Sequence, residues 1–354
     1  MMTRPFLPTQ CRRSRPAICT FALLLLASWN IRGVAEGLSD DGKPLDATFA
    51  GASAQGTFSV IGEALGEIVR REYPGSSLTY EPGSNAGALI RLVQGEAEFS
   101  FLSTIMAQRA ETGAEPFRDK LEVYEKVSTI FPPVTMVYYV IVRRDFLEKN
   151  GVATFADIRN KKVPMHISLN QKGNIEVYHG ARAILEAEGI TEEAIKSWGG
   201  EVFYVPSGTY TDMIKDGKLD IVITAGYYPD RRVIEMQQAT PVTLLPLLES
   251  SLNAVSDALN LEHAVIPKSA YDFLENDYRT LNLTLWVVAG PAATDLEAYK
   301  FTKAVYNNLA YFQNVHPMFK GFSAELMPQH GPFRLNPGAA SFYNEVGLSI
   351  PKGD

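Results

Sequence analysis

The sequence predicts an α/β protein of two similar lobes joined by two long strands. Three observations carry this. Strand and helix patterns alternate through the first hundred residues after the leader and again in the middle of the chain, which is the grammar of a parallel α/β sheet. Two segments, "LVQGEAEFSFL" and "MIKDGKLDIVITA", share a helix end, a glycine, an acidic residue and then a strand. Finally, two long runs of β-forming residues, "VTMVYYVIVRRD" (Val134 to Asp145) and "LNLTLWVVAG" (Leu281 to Gly290), separate one α/β unit from the other.

The elements follow in order. "ATFAG" is a short buried strand, and Ser59 to Glu72 is a helix with apolar residues at Val60, Ile61, Ala64, Leu65, Ile68 and Val69, the spacing of one helical face. "SSLTYEPG" is a second strand, "AGALIRLVQG" a helix closed by Gly95, and "EFSFL" a third strand. The long strand after Pro132-Pro133 leaves the first lobe. "VPMHISL", a helix from Ile175 to Glu188 stopped by Gly189, "EVFYV", "TYTDMIKDG" and "LDIVITAG" then repeat the alternation. The second long strand returns, and one helix from Asp295 to Val315 packs on lobe one through Leu296, Phe301, Ala304, Val305, Leu309 and Phe312. Lobe one is thus expected over 46–138 and 283–354, and lobe two over 139–282.

The first 35 residues have another character. Arg4, Arg12, Arg13 and Arg15 precede an apolar run from Ala17 to Trp29, followed by Gly33 and Ala35, the layout of a secretory signal peptide. The run is short of the roughly 20 apolar residues of a membrane span. Cleavage after Ala35 removes both cysteines, so the mature chain is expected to have no disulfide, thiol nucleophile or cysteinyl metal site. It also removes five arginines and no acid, taking the formal charge from −7 to −12. So acidic a chain is a poor partner for nucleic acid, whose phosphates call for clustered Lys and Arg. With no later apolar stretch long enough to cross a bilayer, the mature chain is expected free in an extracytoplasmic compartment, the periplasm.

Catalytic patterns are scarce. "GASAQGTF" has the two glycines of a phosphate loop, but Thr57 stands where the lysine belongs and Phe58 where the magnesium-binding hydroxyl belongs. What survives is a strand leading into a helix N-terminus, a geometry that binds anions. His166, His179, His263, His316 and His330 show no metal-ligand spacing, and His316 and His330 read as surface or packing residues. There is no Gly-x-Ser-x-Gly elbow. No cofactor or metal is expected, and no enzymatic activity.

"GASAQGTFSVIGEALGEIV", "PGSNAGALIRLVQGEAEFSFL", "LPLLESSLNAV", "AYKFTKAVYNNLAYFQNVHP" and "NPGAASFY" (Asn336 to Tyr343), in this order and spacing, resemble the TAXI-type substrate-binding subunit of tripartite ATP-independent periplasmic (TRAP) transporters over nearly all the mature chain. The resemblance implies a type II periplasmic binding protein: two α/β lobes, two hinge strands and a ligand in the cleft. It implies as ligand a small organic anion, such as glutamate or a C4 to C5 dicarboxylate, and as partner the membrane permease subunits of a TRAP transporter.

Carried over by position, the first loop of such a site is Gln55, Gly56, Thr57, Phe58 and Ser59, where Phe58 replaces a common tyrosine. The second is Gly83, Ser84 and Asn85. In lobe two the family's Gly-Ser-Gly-Thr-Glu becomes Lys172-Gly173-Asn174-Ile175-Glu176, a loss of two hydroxyl donors that is expected to change specificity. Asn170, Lys172 and Asn174, with Gly226 and Tyr227 after "DIVITAG", complete the expected ligand-binding set. Lys172 reads first as a solvated loop lysine and second as an ion-pair partner for a carboxylate, and Tyr227 and Tyr228 equally as ligand contacts or as caps on the sheet. Arg91 and Arg109 could reach an anion but read as helix-surface residues. Two other functions fit the same fold: a sensor that docks on a membrane receptor, and an exported enzyme acting on a small anion.

Overall fold

The computed structural model describes residues 38–51 and 57–352; the expected signal peptide lies outside them. β1 (Asp46–Ala50), α1 (Thr57–Glu72), β2 (Ser77–Glu81), α2 (Asn85–Gln94) and β3 (Phe99–Leu102) follow the expected alternation. Local chemistry sets the ends of α2: the Ser84 side chain accepts from Gly87 N at its start, and Gly95 closes it at φ 75°, a left-handed turn suited to glycine. α3 (Thr104–Thr112) and α4 (Val123–Lys126) lead into the long β4 (Ser128–Arg143).

The middle of the chain runs through α5 (Arg144–Asn150), α6 (Phe155–Lys161), β5 (His166–Ser168), α7 (Ile175–Ala187), α8 (Glu192–Ser197), β6 (Glu201–Phe203), α9 (Ser207–Lys215) and β7 (Ile221–Gly226). It continues with α10 (Arg231–Ala239), β8 (Val242–Leu244), α11 (Glu249–Leu259) and β9 (His263–Ile266). The second long strand, β10 (Tyr278–Ala289), is followed by α12 (Asp295–Asn307), α13 (Leu309–Val315) and α14 (Pro337–Glu345).

The fold is mixed α/β, as expected. Ten strands form one sheet in the order β2-β1-β3-β10-β4-β7-β5-β6, with β8 paired to β4 and β9 to β10. β1, β2 and β3 are mutually parallel, β10 runs antiparallel between β3 and β4, and β5 lies parallel to both β6 and β7. Each long strand changes partner part-way along. β4 pairs with β10 from Ser128 to Val137 and with β7 from Val137 to Val142; β10 pairs with β9 up to Leu281 and with β4 from Asn282. Both faces are covered, and β4 shows it by its period of two: Tyr138, Val140 and Val142 join one apolar cluster, Val137, Tyr139 and Ile141 another.

Two expectations are corrected. β4 begins at Ser128 and runs through Pro132-Pro133, instead of starting after them. Prolines donate no ladder hydrogen bond, and the sheet accommodates them at an irregularity: the β4–β10 register shifts between Leu285 and Val287, and Trp286 has no β4 partner. The single helix expected over 295–315 is broken at Asn308, whose φ is −113°. Its Nδ2 donates to Ala304 O (2.9 Å) and to Glu72 (3.1 Å), binding the helix end to α1. The apolar stripe there is core: Phe301, Ala304, Val305 and Phe312 are fully buried.

Candidate functional site

A cavity of ≈ 860 Å³ opens over the partner-exchange region of β4 and β10. Its floor is apolar. Met136 on β4 lies opposite Leu283 on β10, and Leu285, two residues on, faces the same way. The rim is made of helix N-termini. Phe58 and Val60 from the first turn of α1, Ser84 and Asn85 at the start of α2, Asn174 and Glu176 of α7, Ser207 and Gly208 of α9, and Asp230 and Arg231 at the start of α10 all line it. Val60, expected on the buried face of α1, is 37% exposed because its position in the first turn faces this cavity; the other five residues of that face are buried.

Five helices therefore aim their N-terminal ends at one volume. The first N–H groups of a helix have no partner within it, and the peptide dipoles sum to partial positive charge there. The N-cap residues of α7 and α9, Asn174 and Pro206, make no side-chain capping bond; in α7 the Glu176 carboxyl takes its own N–H, and the other first-turn donors of the two helices are open to solvent or ligand. An anion in the cavity meets donors that need no reorganisation.

The ionisable groups are less simply cationic. Arg232 also lines the cavity, but all its donors are used within the protein. Nε and Nη2 hold Asp230 (3.0 and 2.5 Å), Nη1 donates to Ser207 Oγ (3.1 Å) and Tyr210 OH (2.7 Å), and Nη2 also meets Ala225 O (3.2 Å). Asp230, only 2% exposed, accepts in addition from Arg232 N at 2.8 Å and so caps α10. This pair ties α9, α10 and the end of β7 into one rigid wall. Arg231, also on the cavity wall, keeps a largely exposed guanidinium, with Nε on Glu235 at 2.7 Å.

Glu176 is the unexpected member. It is 3% exposed, accepts from Asn85 Nδ2 at 2.8 Å, and its carbonyl accepts from Tyr138 OH at 2.8 Å. Burial pushes its carboxyl pKa up, against the opposing pull of hydrogen bonds from its own backbone, Asn85 and Ser103. The site thus holds an acid whose charged form is disfavoured. On the opposite side His316 packs edge-on against Tyr227, ring centroids 5.3 Å apart; burial lowers its pKa, opposed by Asp230.

Of the sequence-predicted set, the structure places Phe58, Ser84, Asn85, Asn170, Asn174, Gly226 and Tyr227 on this cavity. Asn170, 1% exposed, adopts a left-handed backbone (φ 68°); its side chain takes Gln171 N at 2.8 Å and reaches Thr224 and Asn174, shaping the loop after β5. Gln55 and Gly56 lie outside the described residues. Thr57 opens α1, and its side chain is likewise outside what is described. Ser59 does not line the cavity: it is the second residue after the helix start and turns into the packed side, 3% exposed. Lys172 is not in the cavity wall either. Its loop bends the side chain outward over the Tyr204 ring, 4.4 Å from the centroid, beside a neighbouring cavity.

Sequence reasoning missed Glu176, Ser207, Asp230, Arg232 and His316. Glu176 stood inside the quoted "KGNIE" segment, and "PDRR" after "YY" carried a capping aspartate and a basic pair. His316, taken for a surface or packing residue, sits on the cavity wall because α13 packs on α1 and the turn after it, Pro317–Phe319, packs on β4. Tyr228 is exposed and off the cavity. Arg91 is a surface residue paired to Glu81 at 2.6 Å. Among the described residues, no group of three or more His, Cys, Asp or Glu could hold a metal, and no helix is long and apolar enough to cross a membrane.

No curated protein matches the chain. Solved structures with a similar course include a Xanthomonas citri protein bound to ATP (10% identity, TM-score 0.46), covering 85% of this chain and 95% of that one. The periplasmic aliphatic sulphonate binding protein of Escherichia coli has 12% identity and a TM-score of 0.44, over 86% and 89% of the two chains. An amino acid ABC transporter substrate-binding protein of Streptococcus pneumoniae, bound to L-arginine, has 13% identity and a TM-score of 0.38, over 78% and 93%. The model of the NMT1-like family matches residues 49–347, most of the sequence, and the protein is a member of the NMT1-like family.

Proposed function

We propose that this protein is an exported solute-binding protein that captures a small organic anion in the ≈ 860 Å³ cavity and delivers it to a TRAP-type membrane permease. The observation that carries the proposal is the convergence of five helix N-termini on one cavity with an apolar floor, where polar groups at the rim orient a ligand and apolar side chains fill around it. The anionic end of the ligand is held by backbone donors of α7 and α9 and by Arg231, because Arg232 is occupied by Asp230. The carboxyl of Glu176, with Asn85, reads a second polar group. A C4 to C5 carboxylate, with or without an amino group, has this length and polarity.

In this reading residues 46–138 and 283–354 form one lobe and 139–282 the other, the leader at 1–35 directs export, and β4 and β10 are the hinge, since each passes from one strand partner to another part-way along. The protein binds and releases its ligand unchanged. Thermal unfolding of the mature chain, freed of carried-over ligand, against C4 to C6 dicarboxylates, amino acids, sugars and ATP tests this. A ligand at a hundred times its Kd adds about 2.7 kcal/mol of stability. A melting shift with a carboxylate, abolished by changes at the cavity rim and unaccompanied by product, is the expected result; no shift with any carboxylate overturns the ligand class.

A further inference from the structure

We propose that a second anion site lies beside the cleft, in the ≈ 760 Å³ cavity between α3 and α7, where Arg109 and Arg182 together bind a small multivalent oxyanion of carboxylate or phosphate chemistry. The site does not depend on what the main cleft binds. The two cavities share only Ser84 and Gly173 in their walls, and the floor differs: here it is Ile105 of α3 with Ile175 of α7, both buried.

Three cations from separate segments line this cavity: Arg109 on α3, Lys172 in the loop before α7, and Arg182 on α7. Their compensation is incomplete. Arg109 uses only Nε, donating to the Glu115 carbonyl at 2.6 Å; its terminal amino groups have no hydrogen-bond partner among the described residues. Arg182 holds Glu186 through Nε at 2.7 Å and meets the Tyr178 hydroxyl. Lys172 has an aromatic face, Tyr204, and no carboxylate partner among the described residues. Glu115 and Glu186 are the acids of the wall.

His179 lines the same cavity, close enough to both arginines to feel their charge, with its ring against Tyr178 and centroids 4.8 Å apart. Burial first, and then the nearby charges of Arg109 and Arg182, lower its pKa to about 4. Arg109 in turn is lowered by burial and by Arg182, although Glu115 and Tyr178 oppose this. The two guanidinium groups therefore repel across the seam between α3 and α7. A bound oxyanion removes that repulsion and supplies acceptors for the idle donors of Arg109, in the paired geometry that guanidinium offers carboxylate and phosphate.

Citrate and inorganic phosphate, each alone, are the probes, and the readouts are melting temperature and the NMR titration of the His179 ring, assigned with His179→Gln. A filled site raises the melting temperature and moves the His179 titration upward. Arg109→Gln with Arg182→Gln abolishes both responses, whereas Glu176→Gln in the main cleft preserves them. Arg182→Gln alone, at a side chain 48% exposed, weakens the response at least tenfold and serves if the double variant folds poorly. A response to either anion that behaves this way supports the site, and the stronger anion names its chemistry. Responses that survive the double variant, or that Glu176→Gln removes, place the anion elsewhere and overturn it. A cleft ligand that still binds the double variant leaves the solute-binding reading intact in either case.

Discussion

Asn85 donates from Nδ2 to a carboxyl oxygen of Glu176 at 2.8 Å, joining the first turn of α2 to the first turn of α7 across 91 residues of sequence. The contact lies on the wall of the main cavity and on the border with its neighbour. It is a direct polar link between the starts of α2 and α7.

Asn85→Ala removes that donor and leaves the buried acid with fewer partners. The expected loss is about 1–2 kcal/mol of folding stability, the cost of stripping one hydrogen bond from a buried polar group. Urea unfolding measures it, and ligand affinity is expected to fall in the same variant.

Glu176 makes stability depend on pH in a definite direction. Its folded pKa is raised by burial, so the folded state holds the proton more tightly than the unfolded one. Its contribution is therefore fully present below the unfolded carboxyl pKa and is lost as pH rises through the folded pKa. Glu176→Gln keeps an acceptor for Asn85 and cannot ionise. It is expected to melt higher than the parent at neutral pH and to lose that advantage near pH 4. Equal melting of the two proteins across this range would refute the buried-acid account.

His179 acts in the opposite sense. Its pKa falls from 6.5 to about 4 on folding, so its contribution is present above pH 6.5 and is lost as pH drops toward 4. His179→Gln is expected to flatten the acid limb of the stability curve within that window, as followed by melting temperature in buffers lacking multivalent anions.

Arg231 and Arg232, adjacent in sequence, are expected to behave differently. Arg232→Ala strands Asp230, which is almost fully buried, and should cost about 3 kcal/mol, toward the lower end of the range for breaking a buried pair because the arginine itself is 29% exposed. Arg231→Ala removes an exposed side chain and should change stability by less than about 0.5 kcal/mol while weakening carboxylate binding. Chemical unfolding and titration calorimetry on the two variants separate structural from ligand-binding arginine.

Gly180→Ala tests the packing that positions α7. A Cβ there would stand 1.9 Å from the Tyr138 hydroxyl, which donates to the Glu176 carbonyl. The methyl group is expected to destabilise the fold by roughly 1–3 kcal/mol, as overpacking of a dense core does, in spite of alanine's better helix propensity.

Much of the fold was legible because its signals are local. The apolar spacing of Ile61, Leu65 and Ile68, the stop at Gly95 and the β-forming run "DIVITAG" each depend on neighbours a few residues away. Ser84 and Asn85 are expected in a loop carried over from the family resemblance; in the structure Ser84 caps α2 and Asn85 opens it. The break at Asn308 and the passage of β4 through Pro132-Pro133 were not legible. The first depends on Glu72, far away in sequence, and the second on an irregularity in β10 that only the paired strand reveals.

By itself, the sequence determined the alternating α/β elements, the long strands at the centre of the chain and the glycine and serine punctuation of the helices. Each is a matter of backbone preference and periodic burial within one segment. Only the tertiary structure decided that five helix starts meet at one cavity, that Arg232 is consumed by Asp230 while Arg231 is not, that Glu176 is buried against Asn85, and that Lys172 faces the neighbouring seam with Arg109 and Arg182. The availability and charge of these groups depend on which distant partners are within a few ångströms and how much water is excluded. Neither quantity is encoded in any local stretch of residues.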